Sequence, residues 1–133
     1  MVTQMLDIRI KTIPHHYQQY DTVGNYWRDL DAGHEVLEIR VSRMRDRRHE
    51  FLVALHELIE AFLSDSRRIP FGLITRFDIQ YENARKHGDS SEPGACERAP
   101  YRKEHQFAES IERLVASELE VNWLQYNRAV ERL

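Results

Sequence analysis

The chain has 133 residues, of which 41% are apolar and 31% charged, enough for one domain with an ordinary core. Five glycines, four prolines and a single cysteine exclude a collagen-like repeat, a disordered tract and a disulfide scaffold. A formal net charge of -3 argues against a chain devoted to coating nucleic acid, and no apolar run approaches the ~20 residues that span a bilayer.

The opening MVTQMLDIRIK has no apolar signal core, and the lone Cys96 fits a reducing compartment, so the expected location is the cytoplasm. In chain order, Asp7–Lys11 alternates apolar with charged residues, the pattern of a half-buried strand, and Pro14 ends it. Asn25–Leu30 leads into the short polar segment 31–34, which predicts a hairpin turn. Leu37–Ser42 alternates again and is rich in β-branched residues. The expectation is a short, mainly antiparallel sheet of about three strands. Arg40, Arg43, Arg45, Arg47 and Arg48 follow as a basic cluster, diluted by Asp46 and Glu50; it reads as a solvated connection or a phosphate grip.

From Asp46 onward the period changes. Residues 47–65 carry Phe51, Leu52, Leu55, Leu58, Ile59, Phe62 and Leu63 at helical spacings, without glycine or proline. Pro70 suits the first turn of a second helix, with Ile74, Phe77, Tyr81 and Ala84 as its stripe and Gly88 as its stop. Residues 89–101 hold two prolines and a glycine and read as an ordered loop or lid. A third helix spans roughly 102–118, with Phe107, Ile111, Leu114 and Val115 facing inward, and a fourth roughly 120–132. Strands first and helices afterwards define an α+β single domain, β-rich over 1–43 and helical over 44–133.

The most informative stretch is Leu52–Leu63, where His56, Glu57 and Glu60 interrupt an apolar helix. At about 100° per residue, Leu55, Ile59 and Phe62 share the apolar centre, with His56 at its edge and Glu57 pointing well away. His56 and Glu60 stand at i and i+4, so an imidazole nitrogen and a carboxylate oxygen can reach one ion. Glu57 could then act as general base on a water bound to that ion. A third ligand is needed. His105, Glu109 and Glu112 form one set, Asp78 and Glu82 another. The first set falls on the face where solvent is expected, while the second borders a buried stripe; by ligand chemistry His105 is the better donor. The plain alternatives are a hydrogen-bonded His56–Glu60 pair, an exposed Asp78 pairing with Glu82 or Arg85, and a solvated His105 face. His15-His16 beside Pro14 reads as a turn, and Cys96 shows no orienting base.

Around His56-Glu57 the chain resembles the zincin metallopeptidases, whose active helix carries His-Glu-x-x-His, here preceded by the strand Leu37–Ser42. Glu60 stands where that family has its second histidine. The resemblance implies a zincin-like fold, a zinc ion held by His56, Glu60 and either His105 or Asp78, and a water activated by Glu57 for peptide hydrolysis. The surroundings also resemble small phage- and prophage-type proteins, which implies as an alternative a non-catalytic accessory or protein-binding domain. The expected partner is accordingly a protein or peptide. Glu57-x-x-Glu60 is also similar to the all-α nucleotide pyrophosphatases, but their Glu-x-x-Asp is missing and the N-terminus is β-rich.

Overall fold

A computed structural model describes residues 6–31 and 33–133. Residues 1–5 and Ala32, part of the expected turn, lie outside the described residues. The order is β1 (Leu6–Ile13), β2 (Gly24–Asp31), β3 (His34–Ser42), α1 (Arg47–Ser66), α2 (Phe71–Asn83), α3 (Arg102–Glu118) and α4 (Trp123–Glu131). Short 3-10 turns lie at His15–Tyr17 and Pro93–Ala95. The α+β class holds. No helix among the described residues is long and apolar enough to cross a membrane.

The sheet is mixed rather than mainly antiparallel. Its order is β1-β3-β2, with β3 parallel to β1 and antiparallel to β2. Asp31 pairs with His34 across a two-residue connection, and Gly33 takes the left-handed φ of 80° such a turn requires. The segment 14–23 instead carries the chain past the end of β3, so β3 inserts between the first two strands. Alternation in the sequence marks strands but does not reveal this crossover. The crossing is pinned at the fully buried Ser42, whose hydroxyl meets His15 Nδ1 at 2.8 Å and accepts from Gln18 at 3.1 Å. His15 is thereby absorbed into the turn, with Asp21 on its other nitrogen at 2.8 Å.

Leu37, Ile39 and Val41 of β3 and Tyr26 of β2 meet Leu52, Val53 and Ala61 of α1 to form the core. Asp46 caps α1 by accepting from the Arg48 backbone N–H at 2.8 Å. Arg48 also grips the Asp46 carboxylate and donates to the Leu119 carbonyl at 3.1 Å, while Arg40 pairs with Glu38 and lies over Trp27. Two arginines of the basic cluster are therefore engaged within the fold. The second helix ends at Asn83, capped by Ala84, earlier than the expected stop at Gly88.

Two helix faces differ from expectation. On α1 the buried residues are Leu52, Val53, His56, Glu60, Ala61 and Ser64, whereas Phe51 and Phe62 are exposed. On α3 the buried residues are Glu104, His105, Ala108, Glu112 and Ala116, and Phe107 and Leu114 face outward. The expected solvated face of α3 is therefore its inner face. Periodicity assigns the apolar side to the interior, and these two helices turn ionisable side chains inward instead.

Candidate metal centre

α1 and α3 run side by side in opposite directions, so His56 and Glu60 on one meet Glu112 and His105 on the other. The result is a buried triangle. His56 Nε2 lies 2.9 Å from Glu60 Oε2 and 3.1 Å from His105 Nδ1, and His105 Nδ1 lies 2.9 Å from the same Glu60 oxygen. These three side chains form a potential metal-holding group.

Each ligand is held from behind. His56 Nδ1 meets Glu112 Oε1 at 2.7 Å, His105 Nε2 meets Glu92 Oε2 at 2.8 Å, and Glu60 Oε1 accepts from the Tyr26 hydroxyl at 2.9 Å. Tyr126 in turn donates to the second oxygen of Glu112. An ionised carboxylate only accepts, so each histidine spends its N–H outward on Glu112 or Glu92. In a neutral ring the inward atoms, Nε2 of His56 and Nδ1 of His105, carry lone pairs beside the Glu60 oxygen; in the metal-free protein a second proton on each ring is donated to that oxygen. Three lone-pair-bearing atoms about 3 Å apart repel one another unless a proton or a metal ion sits among them. Zinc–nitrogen and zinc–oxygen bonds are about 2.1 Å long. Ideal tetrahedral spacing at that bond length is about 3.4 Å, so the triangle needs to widen by only about 0.4 Å.

Asp78 does not join this triangle. Tyr20 donates to one of its oxygens at 2.9 Å and Tyr101 to the other. Burial raises Asp78 to about 6 even though both phenols pull it down. Glu82, the other candidate on α2, is paired with Arg85 at 2.8 Å. Of the two candidates for a third ligand, His105 is the one that stands with His56 and Glu60.

Glu57 lies beside the triangle on the wall of a cleft of about 530 Å³ that also includes His56, Glu60, Asp78 and His105. Its carboxylate makes no hydrogen bond among the described residues. Burial, followed by repulsion from Glu60, raises it to about 8. Two glycines bring backbone against the site. A Cβ at Gly24 would stand 2.6 Å from Glu57 Cγ, and one at Gly94 would stand 2.4 Å from both Cγ and Nδ1 of His105. Gly94 lies in the expected lid, where Pro93–Ala95 forms the turn and Glu92 supplies the carboxylate behind His105. Substituting Gly94 with alanine should tilt the His105 ring and weaken metal binding by ~10–100-fold, as loss of an outer-shell contact does. Competition titration with a zinc chelator measures this; an unchanged affinity would show that the turn does not set the ring.

The titrations share one cause, negative charge buried around two rings. Burial pulls His56 down, but Glu112 and Glu60 outweigh it and hold the ring well above its ordinary value. Burial likewise opposes Glu60 and Glu92 at His105, which rises to about 10. Glu60 is held low because the His105 and His56 hydrogen bonds overcome its burial. Raised histidines stabilise the metal-free fold fully below their ordinary 6.5 and lose that contribution as pH climbs toward about 10. Glu57 carries a penalty that grows from its ordinary 4.5 to about 8, in the same direction. The metal-free protein should therefore melt at lower temperature at about pH 8.5 than at about pH 6. Zinc displaces the ring protons, so its stabilising shift should be larger at the higher pH. Equal zinc shifts at both values would contradict proton competition.

No family model matches the chain, and no curated protein or solved structure does either. The site therefore rests on its own geometry. Sequence reasoning selected His56, Glu60 and His105 and missed Glu92, Tyr26 and Tyr126, which hold them. The signal for Glu92 was its place beside Pro93-Gly94 in a loop already read as a lid. Nothing in the sequence marked the two tyrosines.

Proposed function

We propose that the protein is a metal-dependent hydrolase of zincin-like type, with one zinc ion held by His56 Nε2, Glu60 Oε2 and His105 Nδ1. The observation that carries this reading is the convergence of His56 Nε2, His105 Nδ1 and Glu60 Oε2 to within 2.9–3.1 Å of one another, with each ring's other nitrogen engaged by Glu112 or Glu92. Two histidines and one glutamate make up a donor set of catalytic zinc sites, which keep a further position for water. The replacement of the second helix histidine by Glu60 is thus offset by His105 from α3, so the ligand chemistry is retained while the order along the chain changes.

Glu57 is the general base in this reading. It shares the cleft with the three ligand atoms and makes no hydrogen bond among the described residues, so its carboxylate is available to take and return a proton of the bound water. Zinc would supply a water acidic enough to be deprotonated at neutral pH and a Lewis acid for the scissile carbonyl. Tyr26, Glu92 and Glu112 orient the ligands.

A peptide is the substrate class this cleft favours. Asp78, Glu92, Glu109 and Glu131 line it, and its one arginine, Arg85, is tied to Glu82, so a phosphate ester meets a negative field. Gly24–Tyr26 of the edge strand β2 line the same cleft. The test is metal content of the purified protein followed by a peptide-library digest. About one zinc per chain with cleavage that a chelator abolishes supports the reading. A metal-bound protein that cleaves nothing favours the accessory-domain alternative, and a metal-free protein removes both the ion and the chemistry.

A further inference from the structure

The C-terminal end of α2 is fastened to the segment that leads into the metal centre. Gly88 takes a left-handed φ of 85° and the Asp89 N–H donates to the Lys86 carbonyl at 3.0 Å, so the chain doubles back past Arg85. Residues 85–92 belong to no helix or strand, and no backbone N–H among the described residues donates to the carbonyls of Asp89 and Ser91. Arg85 supplies those donors instead. Its Nη1 donates to the Asp89 carbonyl at 2.6 Å and its Nη2 to the Ser91 carbonyl at 2.8 Å. Nε and Nη2 also grip the two oxygens of Glu82 at 2.9 and 2.8 Å. One edge of the guanidinium fork is thus spent on a carboxylate and the other on the loop. The next residue is Glu92, whose Oε2 stands 2.8 Å from His105 Nε2.

We propose that Arg85 is a positioning residue for the metal centre: by fastening Asp89 and Ser91 to the end of α2, it fixes where Glu92 stands and, through Glu92, how the His105 ring is aimed. This role rests on the zinc site proposed above. The clamped Ser91 carbonyl belongs to the peptide from which Glu92 hangs, so releasing it releases Glu92. On its other side the Glu92 carbonyl accepts from the Ala95 N–H at 3.1 Å, which closes the Pro93–Ala95 turn but ties it only to itself. The Glu92 carboxylate has no hydrogen-bond partner besides His105 among the described residues, so its place is set by the backbone that carries it. The partner behind a metal-bound histidine governs the ring's orientation and basicity. A planar fork is required here, because a lysine ammonium cannot bridge a carboxylate and two carbonyls in one plane. The charge of Arg85 acts in the opposite direction. It is the cleft's one arginine, and a cation there repels a metal ion, so its removal would by itself tighten zinc binding.

Zinc affinity of the intact protein, measured by chelator competition, separates these effects. Arg85→Ala should bind zinc about 10-fold more weakly, Arg85→Lys no better, and Glu92→Ala ~10–100-fold more weakly. Arg85→Ala combined with Glu92→Ala should be no weaker than Glu92→Ala alone, because without Glu92 the clamp has nothing to deliver. Wild-type or tighter affinity in either Arg85 variant would overturn the proposal, as would losses that add in the double variant. A wild-type protein that takes up no zinc would instead remove the site itself, and the clamp has a readout that needs no metal. In proton NMR of the metal-free protein, the His105 Nε2–H held on Glu92 should give a downfield ring resonance that Arg85→Ala loses to solvent exchange. Its absence from the wild type, or its persistence in Arg85→Ala, would overturn the clamp whatever the zinc result.

Discussion

His105→Ala should leave a protein that no longer binds zinc in a one-to-one ratio and gains no thermal stability when zinc is added. The ring is the sole ligand from α3, and without it His56 and Glu60 offer two donors from one helix turn. In the wild type, zinc at ~1,000 times its dissociation constant should add about 4 kcal/mol of stability. The variant should lose all of that gain. It should also be less stable in the metal-free state, because Glu60 and Glu92 both lose the ring that compensates them. His105→Gln separates the two effects, since an amide restores some hydrogen bonding but is a poor zinc ligand. Scanning calorimetry with and without zinc reads both. A full zinc shift in His105→Ala would show that the ion binds elsewhere.

Glu57→Gln should do the opposite, keeping the metal and losing the reaction. No hydrogen bond ties Glu57 to the triangle, and the amide fits the space beside Gly24. Zinc content should stay at the wild-type level while kcat/KM for any cleaved peptide falls by ~10²–10⁴-fold, the usual contribution of a general base. Because a half-buried carboxyl raised to about 8 costs the fold stability in alkaline solution, the same change should stabilise the metal-free protein above neutrality. Retention of activity in Glu57→Gln would place the base elsewhere. Loss of zinc would make Glu57 a structural neighbour rather than a base.

The strands and helices were largely legible because their hydrophobic periods are local. Leu37–Ser42 was expected within a strand that covers His34–Ser42, and the helix expected over 47–65 covers Arg47–Ser66. The parallel pairing of β1 with β3 was not legible, since it depends on where the 14–23 segment crosses and not on alternation. The His56–Glu60 spacing pointed to the centre, but the inward face of α3 was read the wrong way round. Phe107 and Leu114 look like core residues by composition, yet the space they would fill is taken by His105, Ala108 and Glu112. A helix that closes a charged centre breaks the rule that apolar means buried, and Ala108 and Ala116 at i and i+8 were the quiet mark of its true inner face.

Anomalous diffraction at the zinc edge, from crystals grown with one equivalent of zinc, addresses the metal centre itself. A single strong peak within ~2.0–2.2 Å of His56 Nε2, Glu60 Oε2 and His105 Nδ1, with Glu92 and Glu112 still behind the two rings, is the predicted result. A peak at any other position, or none between these three atoms at full zinc loading, would contradict the assignment and leave the cluster as a protonated hydrogen-bond network.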